Sequence, residues 1–324
     1  MGNTETLSAA LQADMPRLTL ARVQAQAMAN ARANAPWGQS IAQLPALGEG
    51  DKAVIIAAGP SLRRRDPAAA LDGFTGAILA TDSALRYCLS AGLVPDLVVT
   101  LDPHPTRIAR WFGSPIDPED DYFRRQDIDP QPDEHRANLE LLSLLAEHGK
   151  GMNLAIASTS HPSVAARARE IGMQLYWWNP MLDDPDTAGY TQELIALNGL
   201  PCVNAGGNVG SACWMFADAV FRKKKVALTG MDFSYYDGTP YAATQYYREA
   251  LEIFGEDAMP TVFQNIFNPF VGKWFYTDPA YLWYRNCFLE MAGLADCQTW
   301  NCTGGGILFG EGIRFATLQE FLDD

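Results

Sequence analysis

Six short runs of strand-forming residues constrain the fold of this sequence most. The first run, residues 53–58 (AVIIAA), is apolar throughout, as is typical of a strand buried on both faces of a sheet. Five further runs follow at 76–82, 96–102, 152–159, 174–179 and 225–233. Helix-like stretches separate many of them, as at 83–92, 161–172 and 208–223. Strands that alternate with helices form βαβ units, so we predict an α/β fold with a mostly parallel sheet.

Three segments fall outside this alternation. Residues 1–50 are rich in alanine, with apolar residues at helical intervals, and predict an N-terminal helical extension that covers the sheet or mediates a homodimer. Residues 114–136 hold four prolines and eight acidic residues against three arginines, which indicates a surface insertion. Residues 234–285 are rich in aromatic residues. We interpret them as a lid-like subdomain within a main domain of residues 51–324, with an ordinary core as the alternative.

Composition excludes several classes of function. The 324 residues carry a formal net charge of −14, which disfavours nucleic-acid binding, so any phosphate must be held by local groups. No apolar run approaches the length of a membrane-spanning helix, and the N-terminus lacks a secretion signal, so we expect a cytoplasmic protein. The six cysteines form no CxxC pair, and the spacing of a zinc site is absent.

The first strand ends in a turn, Gly59-Pro60-Ser61-Leu62, at the kind of place where open α/β sheets bind ligands. Glycine allows the backbone to approach a ligand closely, and proline stiffens the turn. Ser61 can cap a helix or donate a hydrogen bond to a phosphate oxygen. The arginines at 63–65 supply local positive charge or form a solvated helix face. A plain strand–helix turn is the alternative interpretation of the whole motif.

Acidic residues follow the next two strands, in Thr81-Asp82-Ser83 and in Asp102-Pro103. Carboxylates at adjacent strand ends can hold a ribose, a base edge or a metal ion. Magnesium prefers such carboxylates together with waters and phosphates, so Asp82 and Asp102 are its candidate ligands if the chemistry needs Mg²⁺. A helix cap at Asp82 and a turn at Asp102 are the structural alternatives.

Two glycine-rich loops provide further candidates for binding a nucleotide. The first precedes the helix-like stretch at 208–223, and free N–H groups at a helix start bind anions. The second lies near the C-terminus. The candidate residues of the two loops are Gly207, Asn208, Gly210, Ser211, Asn301, Thr303 and Gly304.

The segment that follows the sixth strand places an acidic residue beside tyrosines. Asp232 lies in the sequence Gly-Met-Asp-Phe, and Tyr235 and Tyr241 come shortly after it. Tyrosine hydroxyls can donate hydrogen bonds to a phosphate without adding charge. These residues are therefore candidates for catalysis.

Together the motifs GPSL (59–62), TDSALRYCLSAGLVPDLVVTLDP (81–103), GGNVGSA (206–212), TGMDF (229–233) and NCTGGG (301–306) carry a family resemblance. They resemble the 6-hydroxymethylpterin diphosphokinase-like family, which includes bacterial motility accessory factors that modify flagellin. The likeness extends over roughly residues 51–322 and implies a Rossmann-like nucleotide-binding domain.

That family in turn resembles, more distantly, bacterial sialyltransferases that use a CMP-sugar donor. This resemblance implies that the GPSL turn binds the nucleotide and that Tyr235 and Tyr241 hold the donor phosphate. Lys273 stands where those enzymes have their general-base histidine, and Asp82 and Asp102 stand where they have asparagines. Asp232 is then an alternative candidate for the base.

The related pterin and thiamine pyrophosphokinases carry a DLDGD-like acidic cluster that holds Mg²⁺. Here the matching sequence is Thr-Leu-Asp-Pro-His, in which Asp102 is the one acid. Three hypotheses therefore remain open. The first is a glycosyltransferase that uses a CMP-activated nonulosonic sugar and a small-molecule or peptide acceptor. The others are an ATP- and Mg²⁺-dependent diphosphokinase and a non-catalytic nucleotide-binding protein. None of them requires a tightly bound cofactor beyond the nucleotide substrate.

Overall fold

The computed structural model describes residues 24–105, 108–121 and 133–324. Its strands are β1 (Gln39–Ser40), β2 (Lys52–Ile56), β3 (Ala77–Thr81), β4 (Leu97–Thr100), β5 (Asn153–Ala157), β6 (Gln174–Pro180), β7 (Cys202–Val203), β8 (Lys225–Thr229), β9 (Tyr235–Tyr236), β10 (Gln264–Asn268), β11 (Lys273–Thr277), β12 (Gln298–Asn301) and β13 (Ile313–Phe315). All six strands that the sequence predicts are present.

The α-helices are α1 (24–33), α2 (Leu62–Arg65), α3 (Leu85–Ser90), α4 (Ile108–Trp111), α5 (Glu134–His148), α6 (Pro162–Ile171), α7 (Tyr190–Asn198), α8 (Val209–Met215), α9 (Tyr247–Phe254), α10 (Met259–Val262), α11 (Pro279–Gly293) and α12 (Leu318–Asp323). Short 3₁₀ turns precede α3 at Asp82–Ala84 and α9 at Tyr241–Ala243, and a π-helical turn, Phe216–Val220, continues α8. None of the helices in the described ranges is both long enough and apolar enough to cross a membrane.

The main sheet is parallel throughout, which confirms the predicted α/β fold. Its strand order is β1-β6-β5-β4-β3-β2-β8-β12-β13, and the short β7 also pairs with β6. From β2 the chain builds the sheet outward in one direction as far as β6, and β8, β12 and β13 lie on the other side of β2. The order therefore reverses between β2 and β8, which is the switch point where such sheets bind ligands.

Strand β2 shows why its sequence has no polar alternation. Ala53, Val54, Ile55 and Ile56 are all fully buried. Alternate residues point to opposite faces of a strand, and here Val54 and Ile56 join one apolar cluster whereas Ala53 and Ile55 join another. Helices therefore cover both faces of the sheet, as a strand of uniform hydrophobicity requires.

A second, antiparallel sheet in the order β10-β11-β9 lies within the aromatic-rich segment 234–285. This sheet and its helices α9 and α10 enclose an apolar cluster of their own, formed by Tyr235, Ala250, Met259, Val262, Phe263 and Tyr276. Several aromatic residues of this segment thus form a core, whereas Phe267, Phe270 and Trp274 are exposed. The interpretation of the segment as a lid stays a prediction.

Helix α1 is the described part of the predicted N-terminal extension, whose first 23 residues lie outside the described ranges. Its Asn30 side chain donates hydrogen bonds to the carbonyl oxygens of Pro103 and Thr159, each at 2.9 Å. The Asn34 side chain donates to the carbonyl oxygens of Ser158 and Ser160. These bonds fix α1 to the loops after β4 and β5. Residues 122–132 of the predicted acidic insertion are likewise outside the described ranges.

Candidate active site

The loops after β2 and β8 meet at the switch point. The Gly59 N–H donates a 2.9 Å hydrogen bond to the carbonyl oxygen of Gly230. A Cβ atom at position 59 would lie 2.4 Å from that oxygen and 2.2 Å from Oδ2 of Asp232. Only glycine fits between these groups, so the predicted close approach of the turn is to the neighbouring loop.

Ser61 and Asp232 join the two loops through hydrogen bonds. The Ser61 hydroxyl donates to Oδ2 of Asp232 at 2.7 Å, and the Ser61 N–H donates to the same oxygen at 3.2 Å. Ser61 therefore bonds to this carboxylate and does not cap α2 through its side chain. In the same turn, Leu62 packs in the apolar core and Pro60 is exposed.

Asp232 is a buried carboxylate with one oxygen left without a partner. The residue is 2% exposed, and Oδ1 has no hydrogen-bond partner among the described residues. Burial raises the pKa of Asp232 to about 6, although the two bonds from Ser61 and the charge of Arg64 oppose the rise. A carboxylate in this state can accept a proton near neutral pH.

Asp82 is the second buried carboxylate of this edge. Its Oδ2 accepts a hydrogen bond from the Thr100 hydroxyl at 2.7 Å, and its Oδ1 accepts one from the Ser83 N–H at 2.6 Å. Burial, with a smaller effect from the charge of Asp102, raises the pKa of Asp82 to about 7. The Thr81 and Ser83 hydroxyls lie 3.1 Å apart beside it.

Asp102 lies after the adjacent strand, in the loop that continues through Pro103. Its Oδ1 accepts a hydrogen bond from the His104 N–H at 2.8 Å. Within the described ranges, no group of three or more His, Cys, Asp or Glu side chains is placed to hold a metal ion. Both oxygens of Asp82 accept hydrogen bonds within the protein. Asp82 and Asp102 supply two carboxylates, and a magnesium ion held by them would complete its coordination with waters and substrate phosphates.

In the glycine-rich loop before α8, a side chain of the loop itself caps the start of the helix. Oδ1 of Asn208 accepts a hydrogen bond from the Ser211 N–H at 2.9 Å, and its amide nitrogen donates to the Ser211 hydroxyl at 2.8 Å. A Cβ atom at Gly207 would lie 2.7 Å from the ring of Trp283, and one at Gly210 would lie 2.3 Å from the sulfur of Met231. These glycines are therefore required for packing.

The second glycine loop is fastened to the loop after β8. The Thr303 hydroxyl accepts a 3.3 Å hydrogen bond from the Met231 N–H, and Oδ1 of Asn301 accepts one from the Thr303 N–H at 2.9 Å. Gly304 has a φ of +68°, and its carbonyl oxygen accepts a 2.6 Å hydrogen bond from a guanidinium nitrogen of Arg65. This loop thus brings an arginine to the strand ends.

The two tyrosines predicted to hold a phosphate lie in the core of the second sheet. The Tyr235 hydroxyl donates to Oδ2 of Asp278 at 2.8 Å and accepts from the Gln245 N–H at 3.1 Å. Burial raises the pKa of Tyr235 well above its usual value. Tyr241 stacks on Phe263 with ring centroids 4.5 Å apart. A phosphate contact through Tyr235 would require the bond to Asp278 to break.

Lys273 is exposed on β11 and lines a cavity of about 500 Å³. The other residues that line this cavity are Arg64, Arg65, Tyr236, Val271, Phe275 and Gly304. Two of the three arginines that the sequence places after the GPSL turn therefore border the cavity with Lys273. Sequence reasoning missed Tyr236, because no pattern in the pair Tyr235-Tyr236 indicates which ring faces the strand ends.

Comparison with protein families finds a match to part of this chain. The sequence model of a family described as 6-hydroxymethylpterin diphosphokinase MptE-like matches residues 25–112, a range that contains the GPSL turn, Asp82 and Asp102. No curated protein matches the sequence.

A solved structure shares the fold. The MAf glycosyltransferase from Magnetospirillum magneticum AMB-1 is similar over 90% of this chain, with a TM-score of 0.55 and 16% sequence identity. The chain spans 38% of the length of that protein, and at this identity the likeness shows the fold alone. The match to the 6-hydroxymethylpterin diphosphokinase MptE-like family confirms the predicted resemblance over residues 25–112, which contain the first two of its five motifs.

Proposed function

We propose that this chain is a nucleotide-dependent group transferase whose nucleotide binds at the carboxyl ends of β2, β3, β4 and β8. One observation carries the proposal. The buried Asp232 carboxylate, hydrogen-bonded to Ser61 of the GPSL turn, lies at the switch point of the sheet and has an unpartnered oxygen. A buried polar atom without a partner costs free energy, and a catalytic role or a bound ligand is one explanation for its presence.

Within this class we propose transfer of a sugar from a CMP-activated nonulosonic donor. The fold shared with a protein described as a glycosyltransferase supports sugar transfer, and the CMP-activated donor follows from the resemblance of the motifs to sialyltransferases. In the reaction an acceptor hydroxyl oxygen forms a bond to the anomeric carbon, and the bond from that carbon to the phosphate oxygen breaks. The electron pair of the broken bond leaves with CMP, and the hydroxyl proton passes to a base.

Asp232 is the base in this proposal. With a pKa of about 6 it is mostly ionised at pH 7, and a base works best when its pKa lies near the working pH. Lys273 is the alternative that the family resemblance names. A charged lysine has three donors and no acceptor, so it is better suited to holding an anion than to taking a proton.

Asp82 contributes to nucleotide binding in this proposal. With a pKa of about 7 it carries a proton in about half of the molecules at pH 7. A neutral carboxyl group repels a phosphate less than a carboxylate does, and it can donate a hydrogen bond as the asparagine of a sialyltransferase can. Thr81, Ser83, Asp102 and Pro103 border the same strand ends and complete the proposed nucleotide site.

An ATP- and Mg²⁺-dependent diphosphokinase is the second candidate, because the description of the matched family names that activity. The sequence favours it less, since Asp102 is the one acid where the related pyrophosphokinases have a DLDGD-like cluster. The dependence of nucleotide binding on metal therefore distinguishes the two candidates.

The first experiment measures the thermal stability of the full chain with CMP, CDP, ATP and GTP, each with Mg²⁺ and with EDTA. A ligand at about 100 times its dissociation constant stabilises the folded state by about 2.7 kcal/mol, which is measurable. We expect CMP to stabilise the chain equally with Mg²⁺ and with EDTA. Stabilisation by ATP only in the presence of Mg²⁺ would favour the diphosphokinase, and no stabilisation by any nucleotide would overturn the proposed site.

The second experiment follows CMP release from CMP-sialic acid by wild-type protein and by Asp232→Asn. The asparagine keeps the shape and an acceptor oxygen for Ser61 but cannot take a proton. We expect CMP to bind with unchanged affinity while kcat falls by at least about 100-fold, as the removal of a general base predicts. Asp296→Asn, an exposed carboxylate paired with Arg222, is the matched control. Equal rates for Asp232→Asn and wild type would remove Asp232 from the reaction.

A further inference from the structure

A cluster of positive charge surrounds the cavity beside the switch point. Arg64, Arg65 and Lys273 line it, in a chain whose formal net charge is −14. Across the part of the chain that the structure describes, none of these three cations forms an ion pair with a carboxylate. An acidic protein has many carboxylates available, so an unpaired group of three cations indicates a binding surface for an anion.

The two arginines are held in place by neighbouring groups. A guanidinium nitrogen of Arg65 donates to the carbonyl oxygen of Gly304 at 2.6 Å. The guanidinium of Arg64 lies over the ring of Tyr236, 4.1 Å from its centroid, in a cation–π contact. A side chain that is fixed before binding loses less conformational entropy when it contacts a ligand.

The opposite wall of the cavity is the second sheet. Lys273 and Phe275 are two residues apart on β11, so their side chains point to the same face. Phe275 lies opposite Tyr236 in the register of β9 and β11, and the two rings meet edge to face at 5.1 Å. The cavity therefore has an apolar wall of Phe275 and Val271 next to its cations.

Three successive glycines make room for this arrangement. A Cβ atom at Gly304 would lie 2.5 Å from Nε of Arg65, and one at Gly305 would lie 2.5 Å from the hydroxyl oxygen of Tyr236. At Gly306 a Cβ atom would lie 2.4 Å from the carbonyl oxygen of Asp232. The glycine motif near the C-terminus thus lets Arg65, Tyr236 and the loop after β8 come together around one cavity.

We propose that this cavity is a binding site for a phosphate monoester whose organic part is apolar or aromatic, separate from the proposed nucleotide site. A phosphate monoester carries close to two negative charges at neutral pH, which suits three cations better than a single carboxylate does. Guanidinium groups match the oxygens of phosphate with paired hydrogen bonds. Phe275 and Val271 take the organic part, and the volume of about 500 Å³ is that of a small-molecule site.

Phenyl phosphate is the probe that tests this site, and titration calorimetry of the full chain is the measurement. We expect the chain to bind phenyl phosphate at submillimolar to millimolar concentration and to bind benzoate and phenol more weakly. Arg65→Gln and Lys273→Gln should each weaken phenyl phosphate binding by about tenfold, because each removes one charge-assisted contact.

Arg63→Gln is the matched control, because Arg63 lies on the same short helix and is exposed but does not line the cavity. It changes the net charge by the same amount, so we expect less than about a twofold effect. If Arg63→Gln and Arg65→Gln weaken phenyl phosphate binding equally, the effect comes from the net charge and not from contacts in the cavity. That result would overturn the site. Absence of phenyl phosphate binding by wild type would overturn it too.

A competition experiment separates this site from the proposed nucleotide site. We expect phenyl phosphate to bind with similar affinity in the presence of saturating CMP. Loss of phenyl phosphate binding under CMP would show that the cavity holds part of the nucleotide, which overturns a separate site. Phenyl phosphate binding in a chain that no nucleotide stabilises would leave this inference standing and remove the proposed function. Melting curves of the variants show whether each one is folded.

Discussion

The carboxyl edge of the main sheet has two sides with opposite character. The acidic side, formed by Asp82 and Asp102 after β3 and β4, includes a carboxylate that is only 1% exposed. The basic side, formed by Arg64, Arg65 and Lys273, borders an open cavity, and its cations are exposed. The two sides meet at the hydrogen bonds between Ser61 and Asp232.

The difference between the two sides shows that the net charge of the whole chain does not indicate the charge at this edge of the sheet. Burial raises the pKa values of Asp82 and Asp232 to about 7 and about 6, which reduces their negative charge at neutral pH. The cations of the basic side are exposed. In the two proposals above, this edge of an acidic chain accepts phosphate groups on both sides, with less negative charge at Asp82 on one side and added cations on the other.

The junction between the two sides should be the most sensitive position. In Gly59→Ala the new Cβ atom would overlap Oδ2 of Asp232 and the backbone carbonyl oxygen of Gly230. We expect the free energy of unfolding to fall by about 3 to 4 kcal/mol, and we would measure it by urea unfolding.

Gly293→Ala is the control for that substitution, because nothing lies within 4 Å of a Cβ atom at this helix end. We expect it to leave the free energy of unfolding within about 0.5 kcal/mol of wild type. A Gly59→Ala protein as stable as Gly293→Ala would show that the two loops are not packed as described.

The acidic side should make the free energy of unfolding depend on pH. The pKa of Asp82 is about 7 in the folded protein against a usual value of 3.8, so the folded state binds more protons between these values. The wild-type free energy of unfolding should therefore fall as pH rises from about 4 to about 7, and the loss persists above that range. Asp82→Asn removes this titration while its amide can donate to the Thr100 hydroxyl and its oxygen can accept from the Ser83 N–H.

We expect the stability of Asp82→Asn relative to wild type to increase by about 3 to 4 kcal/mol between pH 4 and pH 8, since the pKa of Asp82 is raised by about three units and one unit corresponds to about 1.4 kcal/mol. Urea unfolding at the two pH values measures the difference. Asp72→Asn, at an exposed position, should keep the pH dependence of wild type. The idea fails if Asp82→Asn and wild type lose stability in parallel between pH 4 and pH 8.

The sequence predicts the central strands of this fold well and the peripheral ones poorly. Strands β2 to β6 and β8 are found because a strand buried between two helix layers is apolar over its whole length. Strand β11, Lys-Trp-Phe-Tyr-Thr, has two exposed residues followed by three buried ones, so no period of two marks it. Strands β1 and β7 have two residues each, which is too short for any period to appear.

The ends of the strands predict where the candidate site lies, but they do not predict which residues contact each other there. Ser61 and Asp232 were named because each follows a strand, yet 171 positions separate them and nothing in the sequence pairs them. A glycine motif indicates that something approaches the backbone closely without identifying what does. At Gly207 and Gly210 the approaching groups belong to the protein, at Trp283 and Met231, because tertiary packing decides which neighbour occupies the space.

Loss of a hydrogen bond at the junction should lower the free energy of unfolding less than Gly59→Ala does. Ser61→Ala removes the 2.7 Å hydroxyl bond to Asp232 and leaves the bond from the backbone N–H. We expect the free energy of unfolding to fall by about 1 to 2 kcal/mol, since a buried carboxylate loses a donor. The pKa of Asp232 should rise, because the hydrogen bond from the Ser61 hydroxyl lowers it in wild type. With Asp232 as the base, the acidic limb of the pH–rate profile should therefore move to higher pH.

Ser90→Ala is the matched control for Ser61→Ala, because the exposed Ser90 hydroxyl also donates to a carboxylate, that of Glu140 at 2.9 Å, and lies outside the proposed site. We expect it to change the free energy of unfolding by less than about 0.5 kcal/mol and to leave the acidic limb of the rate profile where it is in wild type. If Ser61→Ala behaves in the same way as Ser90→Ala, the pKa of Asp232 does not depend on the GPSL turn.

The basic side should respond least in stability and most in binding. In Gly304→Ala the residue keeps a left-handed conformation, and the new Cβ atom meets Nε of Arg65, which can swing away because it lies near the end of a flexible side chain. We expect a loss of about 1 kcal/mol in the free energy of unfolding, from backbone strain. Phenyl phosphate binding should weaken several-fold, because Arg65 leaves its position.

Gly73→Ala is the control, because it has the same kind of backbone strain but nothing lies within 4 Å of the new Cβ atom. Its loss of stability should be similar, and its affinity for phenyl phosphate should be unchanged. Equal binding by the two variants would show that the position of Arg65 does not matter for the anion.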